Sequence, residues 1–382
     1  MKILYGIVGE GMGHATRSRV VVEHLLDRGH ELRIVVSGRA HAFLKDRLAD
    51  RPNLTIHEIE GLHLEMEGST IDLVETVLSN LELAPMRLRH NLGVYQDVAE
   101  DGFKPDLVVS DFESWAYLYA RNHRIPVISI DNMQILNRCS HGGVISQANL
   151  DFQIAKWSVR AKVPGAYHYL VTSFFYPTVT KKRTTLIPPI LRPEILAAER
   201  RPGDHVLVYQ TRAGSETLLP TLKTLPYEFT VYGLDREGTE DNVTLKGFSE
   251  TGFVNDLATA KAVVANAGFS LMGEAVHLRV PMLALPLDGQ FEQELNARYL
   301  GSLGYGSWTP KIDADVLTRF LERTEQHEEA LQGYESVGND MTLACVDELL
   351  DCAVADVDRP NLLQSPNRGA WLPKKERNQP EG

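Results

Sequence analysis

Cysteine is scarce, with only Cys139, Cys345 and Cys352 in 382 residues. Three irregularly spaced thiols build neither a disulfide framework nor a zinc site, and a reducing cytoplasm is the expected compartment. No apolar run reaches the roughly 18 residues of a membrane-spanning helix. The opening residues, Met1-Lys2 and then ILYGIV, are too short for a signal peptide and read as a buried first strand. Positive charge is also in deficit, with 39 Lys and Arg against 51 Asp and Glu, a net charge of −12. That excludes a strongly basic nucleic-acid binder, because phosphate contacts need a Lys/Arg excess. No paired Asp-x-Asp stands in a setting that calls for a metal, and no cofactor is expected.

The charge deficit is uneven. Residues 1–190 hold 21 basic and 21 acidic side chains, residues 191–382 hold 18 and 30, and ten of the 13 histidines fall in the first half. At roughly 150 residues per domain the length predicts two domains. Apolar strands are predicted at 2–8, 31–36, 54–59, 106–110 and 126–130, with helices at 15–28, 39–49, 70–99 and 114–123 between them. The alternation restarts with strands at 205–210, 228–232, 262–266 and 281–285 and helices at 215–224, 251–259, 270–278, 290–302 and within 312–352. Short β-branched runs separated by helices imply parallel sheets covered on both faces. The fold class is therefore α/β, with two doubly wound Rossmann-like domains in series. The first is expected at 1–185, a proline-rich linker at 186–203, the second domain at 204–355, and an irregular polar tail containing Trp371 at 356–382. Ligands of such folds sit in the crevice at the carboxyl ends of the strands.

The first strand runs into Gly9-Glu10-Gly11-Met12-Gly13-His14-Ala15-Thr16-Arg17-Ser18. Gly11 and Gly13 permit positive φ and close backbone approach, and the helix that follows points free N–H groups and its positive end at an anion. Gly-x-Gly-x-Gly is not the dinucleotide fingerprint, and no acidic residue ends the second strand, RIVVSGR, so NAD and FAD are not expected. His14 at this helix start is a candidate general base, against the plain reading of a helix-cap histidine. Such a base needs an orienting carboxylate. Asp111, just past a buried strand in PDLVVSDFE, is the candidate on the same sheet edge; Asp106 should lie at the far edge, and Glu113 is the alternative. Asp111 as an N-cap of the next helix is the competing reading. Asp131-Asn132 ends the following strand in the same way and is expected to face the cleft.

In the second half a strand ends at Asn266, and Ala267-Gly268 opens a helix at Phe269-Ser270, again presenting N–H groups to an anion. Glu274, four residues past Ser270, shares its helix face and suits a ribose diol. The loop after the next strand brings Asp288, Gln290, Glu292 and Gln293, groups suited to sugar hydroxyls. A second phosphate cradle is predicted over Thr211-Arg212-Ala213-Gly214-Ser215, with Arg212 neutralising phosphate, and Phe248 offers backbone to a base. Ordinary turns and caps are the bland alternative at each of these positions.

At this cluster the sequence resembles the donor-binding segment of GT-B glycosyltransferases. Plant-type and natural-product members carry His-Cys-Gly-x-Asn-Ser, then Glu, Gly-Val-Pro and Asp-Gln-x-x-Asn-Ala. Ala267-Gly268-Phe269-Ser270, Glu274, Val280-Pro281-Met282 and Glu292-Gln293-Glu294-Leu295-Asn296-Ala297 match in that order. The resemblance implies Glu274 for ribose, Gly268 to Ser270 for diphosphate, and Glu292 with Gln293 for the hexose. The chain departs from the pattern in three places: Asn266 stands for the diphosphate histidine, Arg279 for the glycine before Val-Pro, and the loop before Glu292 is two residues longer. GEGMGHATRS is similar to the glycine loop of MurG-type transferases, and to the Gly-x-Gly-His-x-x-Arg motif of the UDP-sugar hydrolases of pseudaminic acid synthesis. In plant-type relatives an N-terminal histidine paired with an aspartate after a later strand deprotonates the acceptor, which fits His14 with Asp111. The SDFE and IDN strand ends resemble a MurG-like branch of bacteria and archaea.

Together these features predict an inverting, metal-independent glycosyltransferase. It would move a hexose or N-acetylhexosamine from a nucleoside-diphosphate sugar, UDP-linked by the resemblance, to an acceptor hydroxyl. The alternative is a nucleotide-sugar hydrolase in which His14 activates water. A UDP-sugar 2-epimerase would carry an N-terminal Thr-Arg-Pro loop that is missing here, and a non-enzymatic sugar-nucleotide binder would not depend on His14. The acceptor is open between a lipid-linked and a small molecule, and a nucleic-acid acceptor has little basic surface to support it. Residues 157–183 mix Trp157, Tyr167, Tyr169, Phe174, Phe175 and Tyr176 with Arg160, Lys162, Lys181, Lys182 and Arg183. That mixture can suit peripheral contact with the inner face of an anionic membrane, but is more often simply strands joined by a basic turn.

Overall fold

The computed structural model describes residues 1–9, 11–61, 66–67, 70–71, 86–146, 149–210, 215–247 and 249–354. The expectations for Thr211, Arg212, Gly214, Phe248 and the tail 356–382 lie outside these residues, as do those for the side chain of Ser215 and for residues 72–85 of the predicted helix 70–99, whose first two residues are strand and whose residues 86–97 are helix.

The first sheet takes β1 (Lys2–Ile7), β2 (Glu31–Val36), β3 (Leu54–Glu58) and, after an antiparallel ribbon of β4 (Met66–Glu67) and β5 (Thr70–Ile71), β6 (Leu107–Asp111), β7 (Val127–Asp131), β8 (His168–Thr172) and β9 (Thr184–Ile187). Its order is β3-β2-β1-β6-β7-β8-β9, and every pair is parallel. Around it lie α1 (Met12–Asp27), α2 (Gly38–Arg47), α3 (residues 86–97), α4 (Ser114–His123), α5 (Ile135–Arg138) and α6 (Leu150–Lys162). The apolar runs of β1, β2, β6 and β7 are buried throughout their interiors, as strands covered on both faces must be.

The second sheet is built from β10 (Val206–Tyr209), β11 (Phe229–Tyr232), β12 (Gly238–Glu240), β13 (Val243–Lys246), β14 (Ala262–Asn266), β15 (Met282–Leu285) and β16 (Gly306–Trp308). Its order is β12-β13-β11-β10-β14-β15-β16, parallel except at β12. The helices of this half are α7 (Pro193–Leu196), α8 (Ser215–Lys223), α9 (Glu250–Thr259), α10 (Phe269–His277), α11 (Phe291–Ser302), α12 (Ala314–Leu321), α13 (Thr324–Gln332) and α14 (Asp340–Val354).

Two departures from the predicted organisation have physical causes. The expected linker begins inside β9, whose Thr184, Thr185, Leu186 and Ile187 are all buried as the edge strand of the first sheet. Two threonines followed by two aliphatic residues pair with β8 before Pro188-Pro189 removes the N–H donors and ends the strand. The last helix, α14, was assigned to the second half but packs on the first. Its Cys345, Val346, Leu349, Leu350 and Ala353 share one core with Ile3, Tyr5, Val22, Leu25 and Val109, and His24 Nε2 lies 2.9 Å from Asp347 Oδ1.

Among the parallel strands each sheet reverses its order once, between β1 and β6 and between β10 and β14. Such switch points open a crevice at the carboxyl ends of the strands. The two halves meet on that side. Phe174 stacks on Phe269 with centroids 5.9 Å apart, Phe175 on Tyr299 at 3.9 Å, and Phe152 tilts against Phe291 at 5.5 Å. Among the described residues no helix is long and apolar enough to cross a membrane.

Candidate active site

The glycine loop brings the first switch point to the second half. Gly11 caps α1 at φ +89°, a conformation side chains other than glycine rarely adopt. A Cβ on Gly13 would sit 2.6 Å from Ser270 Oγ, so the absence of a side chain lets the start of α1 approach the start of α10. Two helix N-termini therefore converge, each contributing unpaired N–H groups and partial positive charge.

His14 lies in the first turn of α1 with 18% of its side chain exposed. Its Nδ1 is 2.8 Å from Asp111 Oδ1. Asp111 is only 1% exposed and ends β6, the strand next to β1. Arg17, one turn after His14 and 4% exposed, donates from Nε to Asp111 Oδ2 at 2.8 Å and from Nη2 to Oδ1 at 2.5 Å. Ser18 Oγ donates to Oδ2 at 2.8 Å. Burial would raise the Asp111 pKa, but the Arg17 guanidinium, and then His14, outweigh it and hold the carboxyl well below the usual range. With Asp111 ionised, the His14 proton belongs on Nδ1 and donates to Oδ1, leaving the Nε2 lone pair free to accept a proton. Arg17 Nη2 is also 2.7 Å from Nδ1; with that nitrogen protonated, its hydrogen bond goes to Asp111. Burial, and secondly the charge of Arg17, lower the His14 pKa, so the ring is neutral at neutral pH.

The neighbouring carboxylates have other work. Glu113, the alternative to Asp111, caps α4 by accepting from Trp115 N and Ala116 N at 2.7 Å each. The cap that was the competing reading for Asp111 is thus made two residues later. Asp106 sits at the opposite sheet edge, accepting from Lys2 N at 2.8 Å. Asp131 is buried and accepts from Ser129 Oγ and Gln134 N at 2.7 Å each, a local turn rather than a group facing the cleft. Burial pushes it up to about 6. Its neighbour Asn132 does reach across. Asn132 Oδ1 accepts from Arg17 Nη1 at 2.6 Å, and its Nδ2 donates to Glu292 Oε1 at 2.5 Å.

On the second half, Gly268 is the N-cap of α10 and Asn266 ends β14. The Phe269 side chain is buried against Phe174, so only its backbone can serve an anion. Glu274 is buried and paired with Arg192, whose Nε and Nη2 donate to its two oxygens at 2.8 and 2.9 Å. Glu292 Oε1 also accepts from Asn296 Nδ2 at 2.5 Å, and burial pushes its pKa up to about 7 against these bonds. Gln293 is turned into its own loop: its Nε2 donates to Gln290 Oε1 at 2.7 Å and its Oε1 accepts from Leu287 N at 3.1 Å.

The sequence model of glycosyl transferase family 1 matches residues 1–325. The chain belongs to this family. It is similar to an uncharacterized glycosyltransferase of Methanosarcina acetivorans, 26% identical over 358 residues that cover 84% of this chain and 90% of the other. The two-domain GT-B fold is shared with solved structures. MurG of Acinetobacter baumannii superposes with TM-score 0.57 at 16% identity, covering 91% of this chain and 99% of that one. A UDP-glucose:anthocyanidin 3-O-glucosyltransferase in complex with UDP gives 0.64 at 13% identity, covering 93% and 99%.

The protein is thus a glycosyltransferase, and its site contains residues that the sequence reading did not single out. Arg17 had a signal: it stands three residues after His14, on the same helix face, inside the motif that drew attention to the histidine. Asn132 was expected with Asp131 to face the cleft, and it is the one of the two that does, between Arg17 and Glu292. Asn296 as a partner of Glu292 follows from their four-residue spacing on α11. Arg192 and its second partner Glu250 had no local signal.

Proposed function

We propose that the protein is an inverting transferase that carries a hexose or N-acetylhexosamine from a UDP-sugar to an acceptor hydroxyl. The observation that carries this reading is the His14–Asp111 contact at the start of α1, facing the start of α10. The acceptor O–H gives its proton to His14 Nε2 while the oxygen attacks the anomeric carbon. The carbon–oxygen bond to the diphosphate breaks on the opposite face, and the diphosphate leaves with the electron pair. Asp111 stabilises the imidazolium that forms, and the converging helix N-termini stabilise the departing charge. Glu274 holds the ribose and Glu292 the transferred sugar. A carboxylate has about four lone-pair sites, so Arg192 leaves Glu274 capacity for a diol. UDP as the nucleotide is supported by the likeness to a transferase seen in complex with UDP.

The acceptor side is the first half, and α6 supports a lipid-linked acceptor. Leu150, Ile154 and Trp157 are 71, 57 and 70% exposed, in i, i+4, i+7 spacing opposite the buried Phe152 and Val159. Lys156 and Arg160 flank this stripe. Lys181 lies close enough that, after burial and Arg138, their charges lower its pKa. Apolar side chains bordered by clustered cations suit the headgroup region of an anionic bilayer. On this reading the protein works in the cytoplasm at the inner membrane face, and its three buried free cysteines are kept reduced there.

A thermal-shift screen of UDP-, GDP- and TDP-sugars on wild type and Glu274→Ala tests the donor. Stabilisation of wild type by UDP-sugars, lost in Glu274→Ala, is expected; no shift with any donor sinks the assignment. Free sugar released in the absence of acceptor, at the rate seen in its presence, would favour a hydrolase.

A further inference from the structure

The connector between the halves carries an ion-pair network that the chemistry of the dyad does not require. Arg192 holds both oxygens of Glu274, and its Nη1 donates to Glu250 Oε1 at 3.2 Å. Glu250, in the first turn of α9, receives Arg47 Nη2 on Oε2 at 2.8 Å and lies 3.9 Å from Arg19 Nη1. Arg19 donates to both oxygens of Glu194 at 3.0 Å. The residues come from three parts of the chain. Arg19 and Arg47 belong to α1 and α2 on the first sheet, Glu250 and Glu274 to α9 and α10 on the second, and Arg192 and Glu194 to the connector. Beside them Leu191 and Asn339 exchange bonds of 2.9 and 2.7 Å, which pins the connector to the segment that returns to α14.

We propose that Glu250 and Arg192 are positioning residues that couple the seating of the two halves to donor affinity. The proposal rests on the reading of Glu274 as the ribose carboxylate. Arg192 fixes that carboxylate bidentately, so its orientation is set before a diol arrives. Arg192 also bonds Glu250, and Glu250 is neutralised by arginines of the opposite half. When the halves separate, Arg19 and Arg47 leave with the first sheet. Glu250 is then left to draw Arg192 away from Glu274. A first-half residue that touches no donor thereby sets how well the donor is held. By linkage, bound donor favours the seated halves by the same factor.

The test measures UDP affinity by calorimetry, and donor KM and kcat, for wild type, Arg47→Ala, Arg47→Lys, Glu250→Gln and the double variant Arg47→Ala/Glu250→Gln. The Arg47 side chain is 42% exposed, so its removal leaves the fold intact. Arg47→Ala should weaken UDP binding and raise donor KM about tenfold, within the usual span of coupling between sites, with little change in kcat. Arg47→Lys should recover most of the loss. The double variant should bind no more weakly than Glu250→Gln alone, because Arg47 acts through Glu250. Unchanged affinity in Arg47→Ala, or effects of Arg47→Ala and Glu250→Gln that multiply, would overturn the coupling. Wild type that binds UDP while Glu274→Ala binds it equally well overturns the ribose assignment and this proposal with it, leaving the transferase reading intact. Wild type that binds no uridine nucleotide overturns the UDP-sugar assignment itself.

Discussion

Replacing Asp111 by asparagine keeps the volume of the side chain and removes its charge. Asp111 accepts from His14 Nδ1, Arg17 Nε, Arg17 Nη2 and Ser18 Oγ in an almost solvent-free setting. In Asp111→Asn the buried guanidinium of Arg17 loses its counter-ion and retains the neutral Asn132. Breaking a buried pair from one side costs about 3–5 kcal/mol. At about 2–4 °C per kcal/mol for a chain of this size, the melting midpoint should fall by roughly 6–20 °C at pH 7. The gap also has a predicted pH dependence. The folded pKa of Asp111 lies below its unfolded value of 3.8, so its stabilisation is present above about pH 4 and is lost as pH falls through the folded value. The wild-type advantage should therefore shrink below about pH 4. In turnover, an amide at this position donates toward Nδ1 and moves the ring proton to Nε2, so His14 can no longer act as a base. Transfer should fall by about 10²–10⁴. Melts followed by circular dichroism from pH 3 to 8, with transfer assayed at pH 7.5, check all three. A variant that melts within about 2 °C of wild type at pH 7 rules out a stabilising Arg17–Asp111 pair, and one that keeps its activity rules out Asp111 as the partner of a catalytic His14.

Glu292, pushed up to about 7, binds a proton in the folded state that the unfolded chain releases near its ordinary value of 4.5. Its contribution to stability is present below that value and is lost as pH rises to about 7; denaturant titrations of Glu292→Gln should show that decline abolished. Gly13→Ala would press a Cβ to 2.6 Å from Ser270 Oγ and hold the helix starts apart. Donor KM should rise, and Ser270→Ala in that background should recover part of the loss; an unchanged KM in Gly13→Ala contradicts the close approach. Ile154→Asp with Trp157→Ser should reduce sedimentation with phosphatidylglycerol vesicles severalfold while UDP affinity stays the same. Equal sedimentation of wild type and variant removes the membrane surface.

Much of this was legible in the amino-acid order. Short β-branched runs set between helical stretches located β1, β2, β3, β6, β7, β10, β11, β14 and β15 to within a residue or so. His14 and Asp111 could be paired because both follow strands of one parallel sheet, and parallel strands bring their carboxyl ends to one edge. β8 and β9 were obscured by His168, by threonines and by the basic turn 181–183, whose aromatic and cationic content fits a surface as well as a strand. The partners of the second-half carboxylates were hidden for another reason. Arg192 and Glu274 are 82 positions apart, joined by how the connector lies on α10, and Asn132 and Glu292 are 160 apart, joined by how the halves seat. No local periodicity encodes such a pairing. The arginine that grips Glu274 was therefore invisible beside it in the sequence.

On the proposed mechanism His14 is the base and not part of the donor's binding surface. UDP affinity by calorimetry and transfer from a UDP-sugar, measured side by side on wild type and His14→Ala, test it most directly. If His14 is the base, UDP binding stays within about twofold of wild type while transfer falls by about 10²–10⁴. Transfer at the wild-type rate, or binding and transfer lost together in a folded variant, would contradict it.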